Sequence, residues 1–253
     1  MASVIPDAIR IFREAGYETV SGLSPYHVHN KRDAPFTTFV KNKKMFGSPG
    51  LALQEVMFLE NFRDYIAPER ILVVGNAYGW STVVTALVFP RAKTVAIDVE
   101  PNGVAFTNEL IARHTLSAEA VVAESPKDVA AVAERHLGGS VDFCLIDAMH
   151  DNASLIADFA AVRAVASREA CFLLHDVINW HMVESVRQIE RQHQLKSKIL
   201  TRTPSGMALV YASLAPALEA YVDCFSDSAA AFQALRQFHL ARGAAEPFTP
   251  GYT

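Results

Sequence analysis

Polar and ionisable residues follow four apolar runs of this sequence, each at the point where the run ends. In chain order they are Asp98, Glu124 with Ser125, Asp147, and His175 with Asp176. A polar group in such a place costs free energy unless water, a ligand or another residue satisfies it. The carboxyl ends of parallel strands form the edge at which open α/β sheets bind their ligands. The pattern therefore predicts one binding site built from these strand ends.

The elements that would position this site begin in segment 70–101. Their order is an apolar strand at 71–74, a turn that holds Gly75 and Gly79, an apolar helix at 80–89, and a second strand at 94–97 that ends at Asp98. A short β-branched run is typical of a strand that is buried on both faces. Strand, glycine turn, helix, strand and acid together indicate the nucleotide-binding half of a doubly wound sheet.

The glycine turn indicates which kind of nucleotide is bound. A dinucleotide site uses G-x-G-x-x-G, whose middle glycine lets the backbone approach a pyrophosphate. Here Ala77 stands at the middle position, the pattern is Gly75-x-x-x-Gly79, and no Walker-type sequence occurs. We therefore expect a nucleoside without a phosphate chain. Asp98 would accept hydrogen bonds from its ribose hydroxyls, and the alternative role for this acid is a cap on the following helix.

The sequences VVGNAYGWST and VAIDVEP resemble motifs I and II of class I S-adenosylmethionine-dependent methyltransferases, many of which have an acid at the position of Val73. The resemblance implies S-adenosyl-L-methionine as the cofactor, with the glycine turn around its amino-acid part and the amino end of the following helix near its carboxylate. It also implies that Glu124 and Ser125 contact the adenine edge, although Ser125 would equally serve as a helix cap. The cofactor-binding residues that it implies are Gly75, Asn76, Ala77, Tyr78, Gly79, Trp80, Ser81, Asp98, Val99, Glu124, Ser125 and Asp147.

The remaining predicted elements extend this resemblance to the fold. Strands are predicted at 120–123, 141–146, 170–174, 198–202 and 207–211, helices at 51–66, 104–114, 126–137, 155–166 and 182–192, and a tight hairpin at 203–206. The resemblance implies an α/β fold with a doubly wound, mostly parallel seven-stranded sheet and helices on both faces. Its strand order would be 3-2-1-4-5-7-6 with the last strand antiparallel.

Three regions are expected along the chain. Residues 1–50 would form an N-terminal helix and an aromatic and basic segment. That segment would act as a lid or substrate-recognition element, or as an irregular wrap or oligomer contact. Residues 51–213 would form the Rossmann-like S-adenosylmethionine-binding methyltransferase domain. Residues 214–253 would form a C-terminal helical extension and tail.

The sequence LIDAMHDNASLIADF, with ACFLLHDV after it, resembles small-molecule methyltransferases that have an Ile-Asp-x-x-His turn after the fourth strand. Some of these enzymes bind a divalent cation, and the resemblance implies that Asp147 and Asp176 share Mg²⁺ or a similar ion. Such a cation would lower the pKa of a substrate hydroxyl. Relatives often have Glu at the position of His175, and catechol-type members have Asn at that of Val177.

Without a metal, His150 is the predicted general base because its side chain titrates near neutral pH. His175 is the second choice, and Asp147 would then hold the cofactor amine or the substrate. The alternative for His150 is a structural role in closing the turn. The catalytic candidates are therefore His150, Asp147, Asp176 and His175.

The composition bears on the class of protein and on its partners. With 51% hydrophobic and 20% charged residues, the chain has the composition of a packed globular protein. A formal net charge of −4 predicts no nucleic-acid partner, and no apolar run reaches the ~20 residues that a membrane helix needs. The three cysteines lack disulfide or zinc spacing and the N-terminus lacks a signal-peptide pattern, so we expect a cytoplasmic protein.

These observations predict a cytoplasmic S-adenosylmethionine-dependent methyltransferase that transfers a methyl group to a small-molecule acceptor, with a hydroxyl oxygen favoured. The aromatic N-terminal segment would suit a homodimer. The alternative is a protein of the same fold that binds the nucleoside cofactor in a non-methyltransferase or regulatory role. A third hypothesis is a nicotinamide-dependent oxidoreductase, against which Ala77 in the glycine turn argues.

Overall fold

A seven-stranded sheet forms the centre of the protein, and helices cover both of its faces. The computed structural model describes residues 2–20 and 37–228, together with residues 230, 231, 234, 237 and 241. Within this part the strands are β1 (Glu18–Val20), β2 (Thr37–Lys41), β3 (Lys44–Gly50), β4 (Arg70–Val74), β5 (Lys93–Asp98), β6 (Ala118–Val122), β7 (Val141–Ile146), β8 (Ala166–Leu174), β9 (Lys196–Ile199) and β10 (Ala208–Tyr211). The helices are α1 (Ile5–Glu14), α2 (Leu53–Phe62), α3 (Trp80–Val88), α4 (Pro101–His114), α5 (Val129–Val132), α6 (Asn152–Val165), α7 (Val183–His193) and α8 (Pro216–Asp223). A π-helical turn, Ala133–Leu137, continues α5.

The strands of the central sheet lie in the order β6-β5-β4-β7-β8-β10-β9. The first five pair in parallel, whereas β10 is antiparallel to both of its neighbours. When the seven strands of this sheet, β4 to β10, are renumbered 1 to 7 along the chain, the order is 3-2-1-4-5-7-6 with the last strand antiparallel. The predicted fold is therefore confirmed. The order changes direction between β4 and β7, and a crevice forms beyond the carboxyl ends of strands at such a point.

The sheet divides the hydrophobic core into two layers. On β4, Ile71 and Val73 pack with residues of α1, α2, α3 and α4, whereas Leu72 and Val74 pack with residues of α5, α6 and α7. All four side chains are at most 1% exposed. This burial on both faces explains why the strand has a continuous apolar run rather than an alternating pattern. None of the described helices combines the length and the apolar character that crossing a membrane requires.

The N-terminal region forms a second, antiparallel sheet in the order β1-β2-β3. Phe39 on β2 stacks on Phe12 of α1 with ring centroids 4.5 Å apart, and it meets the edge of Trp80 at 6.1 Å. These residues belong to one of the two core layers of the central sheet. Residues 37–41 and 44–50 of the aromatic and basic segment therefore form β-strands, and β2 packs on the core through Phe39. Residues 21–36 of the predicted lid and residues 242–253 of the predicted tail lie outside the described residues.

Helix α2 is shorter than the predicted 51–66. Ser48 and Pro49, which directly precede the predicted helix, lie in β3, whose backbone pairs with β2. The carboxylate of Glu55 closes the first turn instead, because it accepts the N–H of Ala52 at 2.8 Å. Met57, although apolar, lies on the outer face of α2 and is 53% exposed.

The connection between β9 and β10 is longer than the predicted tight hairpin, because β9 ends at Ile199 rather than at residue 202. The hydroxyl of Thr203 donates to the carbonyl of Leu200 at 2.8 Å and accepts the N–H of Met207 at 2.9 Å. This side chain therefore satisfies backbone groups that a tight hairpin would pair with each other. The loop is directed inward, where the N–H of Ser205 donates to a buried carboxylate at 3.0 Å.

Gly75, the first residue after β4, should tolerate no side chain. Its φ of +95° is left-handed, and an added Cβ atom would collide with the carbonyl oxygen of Asp147. Gly138 also has a left-handed φ, +68°, but a Cβ atom there would meet nothing within 4 Å. We expect Gly138→Ala to lower the free energy of unfolding by about 1 kcal/mol. Gly75→Ala should lower it by about 3 kcal/mol or more, because the backbone must also move. Urea denaturation measures both values, and equal losses would contradict the close approach.

Candidate active site

The carboxylate of Asp98, at the end of β5, holds the glycine turn in place. Its Oδ2 accepts the backbone N–H of Asn76 at 2.9 Å and that of Ala77 at 2.6 Å, and its Oδ1 accepts the N–H of Glu100 at 2.9 Å. An ionised carboxylate offers about four acceptor positions, so one position remains for a ligand hydroxyl. The cap of α4 is Glu100, whose side chain accepts the N–H of Asn102 at 2.9 Å, and not Asp98.

Two side chains beside the turn fix its shape from the protein interior. Asn76 is 2% exposed, donates to the hydroxyl of Thr107 at 2.9 Å and accepts the hydroxyl of Thr82 at 2.7 Å. The ring N–H of Trp80 donates to the carbonyl of Leu51 at 2.9 Å. These bonds fasten the turn and the start of α3 to neighbouring elements, so the turn is preformed.

A cavity of about 660 Å³ opens at the carboxyl ends of β4, β5 and β7. This volume lies within the range of roughly 300–1,000 Å³ that is usual for small-molecule sites. The predicted cofactor-binding residues that line it are Gly75, Asn76, Ala77, Tyr78, Trp80, Ser81, Asp98, Val99, Ser125 and Asp147. Gly79 and Glu124 are not among its lining residues. Gly79 takes a left-handed φ of +83° at the start of α3.

Of the two residues predicted to contact adenine, Ser125 lines the cavity and Glu124 does not. The side chain of Glu124 is 61% exposed and lies 3.7 Å from the amine of Lys127. The hydroxyl of Ser125 lines the cavity and donates to Oδ1 of Asp158, on α6, at 2.6 Å. Ser125 does not cap a helix, because α5 begins only at Val129. Asp158 lines the cavity although the sequence analysis did not select it.

The ends of β7 and β8 bring together a second group of ionisable side chains. His175, which is 2% exposed, lies between two carboxylates. Its Nδ1 is 3.1 Å from Oδ1 of Asp147, and its Nε2 is 2.9 Å from Oε2 of Glu55, on α2. Burial lowers the pKa of His175, but the carboxylates around it prevail and raise the pKa well above 6.5. With both ring nitrogens held by carboxylates, His175 has the geometry of a buried imidazolium that positions its neighbours.

His150 lines the cavity and faces the same carboxylates. Its Nε2 lies 3.0 Å from Oδ2 of Asp176 and 3.5 Å from Oδ1 of Asp147. The imidazole stacks on the ring of Trp180, with centroids 5.2 Å apart and an interplanar angle of 11°. Burial lowers the pKa of His150, but the two carboxylates outweigh this effect and raise the pKa to about 9. His150 was predicted to titrate near neutral pH, but its raised pKa makes it an imidazolium at pH 7.

Asp147 and Asp176 are held by the two histidines. Burial raises the pKa of each carboxyl, but the charge of His175 and hydrogen bonding from the imidazoles prevail, so both pKa values are lowered. Asp176 also has a left-handed φ of +58°, and its Oδ1 accepts the side-chain amide of Asn179 at 3.2 Å. Loss of the imidazole charges would leave two adjacent carboxylates uncompensated.

The same side chains fit a divalent cation. One donor atom from each of Asp147, His150, His175 and Asp176 lies within 4.8 Å of the others. Hard carboxylate oxygens suit Mg²⁺, and imidazole nitrogen suits softer divalent ions. Because both nitrogens of His175 already face carboxylates, Asp147, Asp176 and His150 are the better ligand set.

Glu55 and Ser205 belong to this site but were missed from the sequence. Glu55 is fully buried, and its Oε1 accepts both the N–H and the hydroxyl of Ser205. The available signal was an acid among the apolar positions of α2, a residue type that is rarely buried without partners. Its partners come from the β9–β10 loop and from the end of β8, so only the fold shows what satisfies it.

Comparison with known proteins agrees with this architecture. Residues 72–177 match the family model of a methyltransferase domain. No curated protein matches the chain in sequence. Residues 72–177 thus resemble a methyltransferase domain, and the strand order of the central sheet is that of the Rossmann-like class I methyltransferase fold.

Solved structures with low sequence identity share the fold. An O-methyltransferase from Bacillus cereus, in complex with SAH, superposes with a TM-score of 0.54 at 12% identity, covering 84% of this chain and 92% of that chain. TomG, an O-methyltransferase of tomaymycin synthesis from Streptomyces achromogenes in complex with SAM, gives 0.53 at 14% identity, with coverage of 84% and 91%. Cofactor-bound Rv0187 from MTB gives 0.53 at 21% identity, with coverage of 64% and 81%.

The buried pair of Glu55 and His175 should contribute strongly to stability. Glu55→Gln keeps the size of the side chain but removes the charge that faces the imidazolium. Because the imidazolium of His175 then loses one buried, charge-assisted hydrogen bond while Asp147 and Asp176 still face it, we expect the free energy of unfolding to fall by about 2 kcal/mol. Glu134→Gln, at an exposed position, is the control and should change it by less than about 0.5 kcal/mol. Denaturation at pH 7 compares the two, and equally small changes would refute the ionic assignment.

Proposed function

We propose that the protein transfers a methyl group from S-adenosyl-L-methionine to a hydroxyl oxygen of a small molecule. The observation that carries this proposal is the continuity of one cavity. Its wall includes the glycine turn, Asp98, Asp147 and His150. A nucleoside held at Asp98 and a proton-accepting group at His150 would therefore share a single cavity.

The cofactor end of the cavity supports S-adenosyl-L-methionine as the ligand. Asp98 retains one acceptor position for a ribose hydroxyl, and Ser81 stands in the first turn of α3, whose amino end favours a carboxylate. The bound cofactor would supply an electrophilic methyl group on a sulfonium. Two neighbours that share the fold are described in complex with SAH and SAM. The match to a methyltransferase domain favours this ligand over a nicotinamide dinucleotide.

The acceptor end supports proton removal by His150. A group whose pKa is about 9 matches a phenolic hydroxyl, whose pKa is about 10, so proton transfer between the two is close to balanced. Asp147 and Asp176 would stabilise the imidazolium that forms, and His175 would hold Asp147 in place. The roles are thus a general base, two charge-stabilising carboxylates and one positioning residue. The protein would also align the acceptor oxygen with the methyl group, since orientation supplies much of the rate.

In a second arrangement, the acceptor end of the cavity would bind a divalent cation. Asp147, Asp176 and His150 would hold the ion, and His175 would orient Asp147 from behind. Such an ion lowers the pKa of a hydroxyl that it binds. In that arrangement His150 would be a ligand rather than the base.

The N-terminal region is proposed to close the cavity. Phe39, on β2, and Gly50, at the end of β3, both line it. The small sheet is therefore part of the wall and not a separate appendage. A lid over the acceptor, and a homodimer through the aromatic segment, stay predictions.

Ligand binding tests the cofactor assignment. We expect S-adenosylhomocysteine to bind with a Kd in the tens of micromolar or tighter, about 6 kcal/mol or more. Asp98→Asn should weaken binding by roughly 10- to 100-fold, because a charged acceptor for the ribose is lost. Glu124→Gln is the matched control, since Glu124 lies outside the cavity, and it should leave Kd unchanged. Absence of binding to the unmodified protein, measured by calorimetry, would refute the proposed function.

Turnover tests the role of His150. Methyl transfer to a panel of phenols and alcohols should fall by roughly 10²- to 10⁴-fold in His150→Ala, with cofactor affinity nearly unchanged. Because only neutral imidazole accepts a proton, kcat/KM in the presence of EDTA should rise with pH and level off at about 9. His136→Ala, remote from the cavity, is the control. Loss of activity in EDTA that Mg²⁺ restores would instead assign His150 to a cation site. Cofactor binding without any methylated product would favour the regulatory alternative.

A further inference from the structure

From the acceptor site, the cavity extends along the carboxyl edge of the sheet toward the ends of β5 and β6. His150, Asp147 and Asp176 lie at the ends of β7 and β8, whereas β5 and β6 lie on the opposite side of β4. On the proposed function, the reactive methyl must face His150. The adenosine part of the cofactor then extends past Asp98 toward the end of β6, where Ser125 lines the cavity.

This end of the cavity is a slot with small apolar walls. Helix α6 presents Ala153 and Ala157 to it, four residues apart and so on one helix face, and Ala148 lies in the preceding turn. Val99, after β5, lines the same space and is 66% exposed. The small side chains on α6 and the exposed apolar surface of Val99 are suited to contact with a flat heteroaromatic ring.

One buried carboxylate stands in this slot, whose other polar lining residues on the same side are Ser125 and Ser154. Asp158, in the next position of α6 after Ala157, is 4% exposed and lines the cavity. Its Oδ1 accepts the hydroxyl of Ser125 at 2.6 Å, and no other hydrogen bond reaches it from the part of the chain that the structure describes. An ionised carboxylate offers about four acceptor positions, and Ser125 occupies one of them. Its Oδ2 is therefore available for a donor that enters the cavity.

We propose that Asp158, held by Ser125, accepts a hydrogen bond from the 6-amino group of adenine and makes the site selective for 6-amino over 6-oxo purine cofactors. Adenine presents a donor at that position, whereas hypoxanthine presents an acceptor that would face the carboxylate lone pairs. Asp158 of α6 would thus make the adenine contact that the sequence predicted for the exposed Glu124. This inference rests on the proposed function, because it takes an adenosyl ligand as given.

The test compares the binding of S-adenosylhomocysteine with that of S-inosylhomocysteine, its 6-oxo analogue, by calorimetry. We expect the unmodified protein to prefer the adenosyl compound by about 10- to 100-fold. Asp158→Asn keeps the size and the bond to Ser125 but places an amide donor in the slot. In this variant the preference should fall at least tenfold or reverse. Glu124→Gln, outside the cavity, should preserve the preference of the unmodified protein.

Equal weakening of both ligands in Asp158→Asn would show a structural role for Asp158 and overturn the inference. Equal affinity of the unmodified protein for the two ligands would overturn it without any variant, so a folding defect in Asp158→Asn leaves the inference testable. Ser125→Ala, which removes the hydroxyl that orients Asp158, is a second variant and should also reduce the preference. Failure of S-adenosylhomocysteine to bind would refute the proposed function, whereas its binding without discrimination would refute this inference alone.

Discussion

The site depends on the convergence of three neighbouring strands at Gly75. The N–H of Gly75 donates to the carbonyl of Ile97 on β5 at 3.0 Å, and the N–H of Asp147 donates to the carbonyl of Val74 on β4 at 2.8 Å. The backbones are so close that no Cβ atom fits at position 75. Because Asp98 then ties the following residues to β5, the turn is fixed on both sides before any ligand arrives. These contacts hold the turn away from the space beyond the strand ends, so the cavity stays open.

Charge compensation is the second constraint, and it connects elements that are distant in the sequence. Glu55, Asp147 and Asp176 would repel one another if they were buried without cations. The imidazole of His175 contacts all three, and that of His150 contacts the two aspartates from the cavity side. Glu55 comes from α2, before the segment that matches the methyltransferase domain. The N-terminal part of the chain therefore contributes one of the charged groups that surround His175 in the candidate active site.

The sequence by itself determined most strands of the sheet and the edge of the sheet at which the candidate site lies. Continuous apolar runs such as 71–74 and 143–146 mark strands buried on both faces, since no solvent-facing residue interrupts them. Gly75 and Asp98 follow their strands directly, so their positions at the sheet edge are local consequences of strand length. The strand order could be predicted only from the resemblance of the motifs to a known fold, because no feature of the sequence indicates which strands pair.

Tertiary structure alone decided which polar groups meet and which way each one points. Glu124 and Ser125 are adjacent in sequence, yet one faces solvent and the other enters the cavity, because the chain turns before α5 begins. Asp158 and Glu55 sit in helices whose sequence shows only an acid among apolar residues. Their roles arise from partners 33 and 120 positions away along the chain, Ser125 and His175. Local propensity carries no information about such contacts, since they form only when separate elements pack against one sheet.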